Sequence, residues 1–507
     1  MSRLRRGPIP AAVLAVASAF SCGGGSDVER EIESAPTEAT ADVLTALDAY
    51  PGGLGVLLDS VAGGVAEIRE RRLVRFLTVS DPMFYGVDGH RQGGLVYEGA
   101  RLFEEFLNAR LGITRPVERV RVILVPVRRD QLLPLLAAGR AEMAAASLRV
   151  TPARASRVAF SRPFYSDGRE IVVTAPGVEP PADVEDLSGR AAFVRASSHY
   201  RESLEALSER LQAEGREPVR IVYVEEILED GDILQLVERG DIPLTVIDDH
   251  IAAFWLTFFP GLVAHPDLAL RENGEIAWAI RPDAPELGEI VDAFVAEHRV
   301  GTLLGNVLVK RYMESPEWVR SARTFYRRGD FTELETVFRD AEAAHGFDWR
   351  LLAAQAVQES GLDPDRRSDA GAVGLMQLLP STARQMGYAG DLTDPAGNVD
   401  TAARYLEHIL AEYFPGLRNR DSTQAHLMAL AAYNAGPTRV ARLRETAASR
   451  GFDPDRWFDN VELVVAREVG AEPMNYVGNI VKSFVAFRLG AEQAAERRRV
   501  RENFAAP

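Results

Sequence analysis

The chain is poor in cysteine: among its 507 residues the only one is Cys22, so no intrachain disulfide can form. It also lacks an excess of positive charge, since 58 Lys and Arg face 74 Asp and Glu and the net charge is −16. Nonspecific binding of nucleic acid needs clustered Lys and Arg, so we expect no nucleic-acid partner. The 8 histidines are scattered and none are paired at zinc-ligand spacing, so we predict no metal site and no cofactor.

The N-terminus lacks an apolar run long enough to cross a bilayer. Basic residues at Arg3, Arg5 and Arg6 precede an apolar stretch from Ile9 to Phe20, which is too short for a membrane span. A basic start, a short apolar stretch and small residues after it are typical of an export signal. We therefore predict a signal peptide over residues 1–21 and an exported protein.

The end of this signal allows two outcomes. A signal peptidase could cleave near Ala17 to Ala19 and leave Cys22 without a role. Alternatively, Ala19-Phe20-Ser21-Cys22 resembles a bacterial lipoprotein lipobox, although that family prefers Leu in place of Ala19 and a smaller residue in place of Phe20. The resemblance implies lipidation of Cys22, and multiple acyl chains would anchor the protein to a membrane, as expected of an outer-membrane lipoprotein facing the periplasm.

Hydrophobic residues make up 46% of the chain and charged residues 26%, which is ordinary globular composition. Short apolar strands alternate with helical segments from Leu73 to Arg299, which predicts a two-lobed α/β domain. Helical periodicity then dominates, which predicts a second, all-α domain. The predicted organisation is an anchor and tether at 22–72, the two-lobed domain at 73–299, a connector at 300–330, the all-α domain at 331–490 and a fraying helical tail at 491–507.

One predicted helix carries a carboxylate that stands out. In Asp348 to Ser360, Asp348 can cap the N-terminus, Gly361 can end the helix, and Glu359 shares a face with Leu352 and Ala356. Burial and the negative end of the helix dipole both raise the pKa of a carboxyl group in this position. A raised pKa is what a general acid working near neutral pH requires, so Glu359 is the candidate acid/base.

The residues that follow Glu359 carry a family resemblance. Glu359-Ser360-Gly361-Leu362 leads to Gly374-Leu375-Met376-Gln377-Leu378, and Ala432-Tyr433-Asn434-Ala435-Gly436 follows later. Together with the segment from Asn398 to Leu406, these motifs resemble the soluble lytic transglycosylase family, whose catalytic domain has a lysozyme-like fold. The fourth motif of that family departs here, because Glu472-Pro473-Met474-Asn475-Tyr476 has proline where threonine is usual.

The resemblance implies cleavage of the MurNAc-GlcNAc bond of peptidoglycan by a single carboxylic acid. Glu359 would protonate the bridging oxygen while the acetamido group of the muramyl sugar assists, and would then deprotonate the sugar's primary hydroxyl to form an anhydro ring. By the same resemblance, a further set of residues lines the glycan groove: Ser360, Ser368, Gln377, Tyr433, Asn434 and Tyr476.

The α/β domain carries a second resemblance. The segments Asp130 to Gly139, Thr151-Pro152-Ala153-Arg154 and Phe160 to Tyr165 resemble the extracellular solute-binding family that serves amino-acid uptake. The resemblance implies that Arg154 clamps a ligand carboxylate and that Asp248 receives the ligand's amino group, with Asp249 as an alternative. The expected ligand is an amino acid or a muropeptide.

The order of the two domains resembles that of the membrane-bound lytic murein transglycosylases, which implies an enzyme regulated by a ligand of its front domain. Two other interpretations remain open. The chain could be an amino-acid receptor with a non-catalytic wall-binding domain, or it could be a hydrolytic lysozyme. A lysozyme would need a second carboxylate facing Glu359, for which Asp363 and Asp369 are the nearest in sequence.

Overall fold

A computed structural model describes residues 63–88, 91–325 and 329–504. The predicted signal peptide, Cys22 and most of the predicted tether lie outside these residues. The described chain forms an α/β front part and a helical C-terminal part, as the alternation of sequence patterns predicts. No helix of the described residues is both long and apolar enough to cross a bilayer.

The front part is built on one mixed sheet with the strand order β10-β7-β11-β5-β1-β4, and β6 pairs with β11. Its strands and those of two small sheets are β1 (Leu73–Thr78), β2 (Gly86–Asp88), β3 (Arg91–Gly93), β4 (Arg121–Pro126), β5 (Met143–Arg149), β6 (Ala159–Phe160), β7 (Tyr165–Thr174), β8 (Ala191–Arg195), β9 (Arg220–Val224), β10 (Leu244–Asp248) and β11 (Val263–Ile280). Strand β11 pairs with both β7 and β5, so it runs from one half of the sheet into the other. The long strands β7 and β11 therefore join the two lobes.

Helices cover this sheet and continue into the connector. They are α1 (Val65–Arg71), α2 (Leu95–Arg110), α3 (Leu132–Ala137), α4 (Pro152–Ala155), α5 (His199–Ala213), α6 (Asp230–Arg239), α7 (Asp249–Trp255), α8 (Pro285–His298), α9 (Leu303–Tyr312) and α10 (Glu317–Phe325). Aromatic packing fixes the first lobe, since the Trp278 ring lies 4.8 Å from Phe76 and 5.4 Å from Phe294. The connector packs against this lobe, where Trp318 Nε1 donates to the carbonyl of Pro82 at 2.8 Å.

The C-terminal part is mainly helical, and a long loop at 361–379 carries isolated β-bridges. Its helices are α11 (Gly329–His345), α12 (Trp349–Ser360), α13 (Pro380–Gln385), α14 (Pro395–Tyr413), α15 (Leu417–Arg420), α16 (Ser422–Ala435), α17 (Pro437–Ser449), α18 (Glu462–Glu468) and α19 (Glu472–Phe504). Helix α12 is nearly fully buried over its first two turns, so its last turn is held against a packed core.

The last helix, α19, connects the two parts of the chain. The sequence predicted a fraying tail from Ala491, but the helix continues to Phe504. Its first half packs on α12, and Lys482 pairs with Glu104 of α2 at 3.1 Å. Its second half reaches the other lobe, where Arg497 and Arg501 pair with Asp232 of α6. The arginine-rich end is therefore held by a carboxylate of the front part, which explains why it remains helical.

Candidate functional site

Helix α12 has the start and the end that its sequence predicts. The Asp348 carboxylate accepts the backbone N–H of Arg350 at 2.8 Å, and Gly361 takes the left-handed conformation with φ 69°. Both groups satisfy helix ends that would otherwise lack hydrogen-bond partners. The helix therefore ends at a fixed point and presents Glu359 in its last turn.

The Glu359 side chain is largely removed from water. Burial raises the pKa of its carboxyl group to about 7, against the opposing effect of a hydrogen bond from Tyr476. Desolvation disfavours the charged form of an acid, which is the direction predicted from the helix. A carboxyl group with such a pKa is protonated in about half of the molecules at neutral pH, so it can both donate and accept a proton.

A short chain of hydrogen bonds orients this carboxyl group. The Tyr476 hydroxyl donates to Glu359 Oε1 at 2.6 Å and accepts a hydrogen bond from Gln355 Nε2 at 3.1 Å. Gln355 lies one turn before Glu359 on α12 and is fully buried. Because the Gln355 amide donates to the hydroxyl oxygen, the hydroxyl hydrogen is left to point at Glu359. No sequence motif indicated Gln355, although its spacing of four residues from Glu359 places both on one helix face.

The loop after α12 is fixed by one buried amide. The Asn398 side chain accepts the backbone N–H of Met376 at 2.8 Å and donates to the carbonyls of Val373 and Leu392. Gly374 lies against this amide with φ +85°, and a Cβ on it would meet Leu392 O at 2.2 Å. The segment from Asn398 was recognised only as a motif. Its function in the structure is to hold the loop beside the end of α12.

Tyr433 joins this loop to helix α16. Its hydroxyl donates to the carbonyl of Met376 at 2.8 Å, and its ring lies 5.4 Å from that of Tyr405. Burial raises the pKa of the Tyr433 hydroxyl, and the charge of Glu359 raises it further, which places the two side chains near each other. The structure therefore brings Tyr433 and Tyr476 to Glu359.

The other predicted groove residues differ in their contacts: three of them bond to nearby backbone groups, and one faces solvent. Ser360 donates back to the Ala356 carbonyl at 3.1 Å, while the exposed Ser368 accepts the N–H of Ala372 at 3.0 Å. Gln377 has φ +47° and donates to the carbonyls of Arg366 and Gly374. Asn434 is exposed at the end of α16. Ser368 and Gln377 thus hold the loop in shape, and Asn434 faces solvent where a glycan could reach it.

No second carboxylate supports hydrolysis among the described residues. The pKa of Glu359 responds to burial and to Tyr476, and no acidic side chain of the described part contributes to it. Asp363 and Asp369 are both exposed, and Asp363 caps its own turn by accepting the N–H of Asp365. A retaining hydrolase needs a second carboxylate about 5 Å from the first, and neither of these exposed aspartates affects the pKa of Glu359.

In the front part, Arg154 and Asp248 line one small chamber of about 10 Å³. The Arg154 guanidinium donates to the carbonyls of Arg149 and Ser197, both at 3.2 Å. Asp248 lies 3.2 Å from the guanidinium of Arg149. The alternative residue, Asp249, instead pairs with Arg169 at 3.1 Å and does not line this chamber.

A cavity of about 320 Å³ adjoins this chamber, and Ser147 lines both. Its walls are mainly apolar side chains from both lobes and from the connector helix α9. Phe84, from the segment that follows β1, supplies one of its aromatic walls. The cleft of the front domain therefore has a small polar chamber and a large apolar one.

The two glycines of the loop after α12 provide a matched test of its geometry. Gly371 and Gly374 both have positive φ, but a Cβ would meet nothing within 4 Å at Gly371. At Gly374 it would overlap the Leu392 carbonyl oxygen and the Asn398 side-chain amide. We expect Gly371→Ala to cost about 1–2 kcal/mol from the left-handed conformation alone. Gly374→Ala should cost roughly 1–3 kcal/mol more because of the overlap. Thermal denaturation of the two variants measures the difference, and equal melting temperatures would contradict the described loop.

Curated relatives match most of the chain. Membrane-bound lytic murein transglycosylase F of Ectopseudomonas mendocina (strain ymp) is 30% identical over 86% of this chain and 88% of its own length. The protein of the same name from Aeromonas salmonicida (strain A449) is 30% identical over 82% of each chain. That of Stutzerimonas stutzeri (strain A1501) is 28% identical over 84% of this chain and 88% of its own.

Solved structures are similar to about half of the chain. A mutant of ArgBP from T. maritima has a TM-score of 0.40 and 19% identity, and it covers 50% of this chain and 99% of its own. An ancestral arginine-binding protein bound to arginine has a TM-score of 0.39 and 19% identity over 48% of this chain.

Two family models divide the chain at the connector. Residues 80–308 match the bacterial extracellular solute-binding proteins, family 3, and residues 336–455 match the transglycosylase SLT domain. The second match includes Glu359 and the loop held by Asn398. The two domain matches, their order in the chain and the sequence identity over most of its length all indicate the same family. The chain belongs to the membrane-bound lytic murein transglycosylase F family and is a peptidoglycan lytic transglycosylase.

Proposed function

We propose that Glu359 is the acid/base with which this lytic transglycosylase cleaves the MurNAc-GlcNAc bond of peptidoglycan. The main support is the state of its carboxyl group. Burial raises the pKa of that group to about 7, and the Tyr476 hydroxyl donates a hydrogen bond to it. The neutral acid donates its proton to the bridging oxygen as that bond breaks. The resulting carboxylate then takes a proton from the primary hydroxyl of the muramyl sugar, whose oxygen closes the anhydro ring.

The proton count of this cycle balances on one residue. Glu359 gives one proton to the leaving sugar and regains one from the muramyl hydroxyl, so no water is consumed and no second carboxylate is needed. The acetamido group of the muramyl sugar assists departure of the leaving group. The Tyr476 hydroxyl stabilises the carboxylate between the two transfers, because a hydrogen bond to the charged form favours that form.

The glycan groove around Glu359 is formed by further residues. We propose that Ser360, Ser368, Gln377, Tyr433 and Asn434 line it and that Tyr476 orients the reacting sugar. The buried bonds of Tyr433 and Asn398 to the loop support a preformed wall, which saves the cost of ordering it when the glycan binds.

The variant Glu359→Gln tests the acid/base assignment. It is nearly isosteric but cannot exchange a proton, so turnover of purified sacculi should fall about a hundredfold to ten-thousandfold with the fold intact. The matched control is Glu412→Gln, which changes an exposed carboxylate of α14 and should act like the wild type.

Product analysis belongs to the same experiment. Mass spectrometry of a wild-type digest made in ¹⁸O-labelled water should find anhydromuramyl ends without the label. Labelled reducing ends would identify a hydrolase, and a Glu359→Gln variant with more than a tenth of the turnover would remove Glu359 from the mechanism.

We also propose that residues 1–21 direct export and that Cys22 is lipidated, which would place the enzyme at the periplasmic face of the outer membrane. The lipobox-like segment Ala19-Phe20-Ser21-Cys22 supports this assignment. The curated relatives are named membrane-bound, in agreement with an anchor. Residues 22–72 would then tether the enzyme to the membrane surface while it reaches the glycan strands.

Metabolic labelling with a palmitate analogue tests the anchor. The wild type should carry the label and fractionate with membranes, because several acyl chains hold a protein firmly in a bilayer. Cys22→Ser should lose the label and become soluble, while Ser26→Ala should behave like the wild type. A wild type without label, together with a Cys22→Ser protein that stays on membranes, would contradict lipidation.

We further propose that a carboxylate ligand of the front domain, an amino acid or a muropeptide, regulates cleavage through Arg154 and Asp248. The chamber that these residues line is only about 10 Å³, so such a ligand requires the lobes to open first. Helix α19 supplies the mechanical connection, because it carries Tyr476 near its start and pairs with Asp232 of the second lobe near its end. A movement of that lobe would therefore act on the group that contacts Glu359.

Turnover of the full-length protein with and without added amino acids or muropeptides tests this regulation. A ligand that prefers one lobe arrangement can change activity only by its differential affinity, so we expect a severalfold response. Arg154→Lys keeps the charge but loses the two-pronged geometry and should blunt the response without changing basal turnover. The control Arg157→Lys, at an exposed position, should respond fully. An Arg154→Lys response equal to that of the wild type would contradict the proposal.

A further inference from the structure

The apolar chamber of the front domain is far larger than the polar one. It measures about 320 Å³ against about 10 Å³, and apolar cavities of about 150 Å³ are large enough to hold benzene. Its walls include aromatic and aliphatic side chains from three parts of the chain: Phe84, Phe164, Trp278, Phe294, Val309 and Met313. Its size and composition are those of a small-molecule site rather than a packing defect.

The charges around this chamber do not suit a free amino acid as its occupant. No Lys or Arg lines it among the described residues. Its two histidines each have a ring nitrogen in contact with the protein, His250 with the Ser147 hydroxyl and His298 with the Phe294 carbonyl. Glu314 is the acidic residue of the lining and is exposed. Burying a zwitterion without partners is unfavourable, whereas a hydrocarbon loses nothing on entering.

In this arrangement of the lobes, the neighbouring polar chamber of about 10 Å³ has no room for the polar end of an amino acid. Its two carboxylates, Asp230 and Asp248, already pair with arginines of the protein, Arg195 and Arg149. All four side chains are buried. A ligand that occupies the large chamber in this arrangement of the lobes is therefore recognised by its apolar part.

The chamber also has an apolar approach. Val300 lines it and is 37% exposed, so the chamber opens to solvent there. The connector helix α9, which begins at Leu303, forms one wall with Gly305, Leu308 and Val309. The same helix exposes Leu303, Leu304 and Val307. An apolar ligand would thus meet apolar surface before it enters.

We propose that the front domain binds a hydrocarbon chain in this cavity. The cavity has about twice the volume that holds the six carbons of benzene, so the chain would be on the order of a dozen carbons long. A free fatty acid and the acyl chain of a lipid share this chemistry. The site is separate from Glu359, so a test of hydrocarbon binding does not depend on the catalytic assignment.

Calorimetry of the full-length protein with dodecanoate tests the site. Each added methylene from octanoate to dodecanoate should tighten binding about fourfold, because each buries more apolar surface. Acetate, which has the carboxylate without the chain, should not bind. A lysophospholipid with the dodecanoyl chain separates the sources: binding of both probes points to the chain of a lipid, and binding of dodecanoate alone points to the free acid.

Substitutions in α9 locate the binding. Val309→Trp fills the cavity and should weaken dodecanoate binding at least tenfold, while Lys310→Trp, at an exposed neighbouring position, should bind as the wild type does. Met313→Trp provides a second filled variant if the first is unstable. Melting temperatures of both filled variants, compared with that of the wild type, distinguish a filled cavity from an unfolded protein. The proposal would be overturned if dodecanoate did not bind, if binding did not depend on chain length, or if both filled variants bound dodecanoate as tightly as the wild type does.

Discussion

The chemistry of this enzyme depends on the burial of one carboxyl group. Glu359 sits at the end of a helix whose first two turns are packed in the core, and its partner is a neutral hydroxyl rather than a cation. Burial without a cationic partner favours the neutral acid, and this moves the pKa to about 7. An ion pair at the same place would lower the pKa and remove the proton that cleavage needs.

The surrounding structure serves to keep that environment fixed. Gln355 holds the Tyr476 hydroxyl from within the same helix, and Asn398 holds the loop that Tyr433 also contacts. These are bonds between buried neutral groups, which orient side chains without adding charge near the acid. Since Tyr476 belongs to α19, the catalytic environment is also tied to the front domain through the pairs that α19 makes there.

Much of this arrangement could be predicted from the sequence, because local patterns determine it. The caps at Asp348 and Gly361 and the position of Glu359 follow from helix rules, and several strands of the front part follow from short apolar runs. The first half of β11, from Val263, has no such run and was not predicted. The contacts that could not be predicted from the sequence join residues far apart in the chain. The bond from Gln355 to Tyr476 spans 121 positions, and the pairing of Arg501 with Asp232 spans 269. The apolar cavity is likewise formed by side chains of both lobes and the connector, which no local pattern brings together.

The mechanism requires Glu359 to be an unusually weak acid in the folded enzyme. An infrared titration of the full-length protein, with Glu359→Gln subtracted to isolate this one carboxyl group, measures its protonation directly. We expect a midpoint of about 7, well above the ordinary 4.5 of a glutamate. A midpoint near 4.5 would mean that Glu359 is ionised at neutral pH, and it would contradict the role of burial on which the mechanism rests.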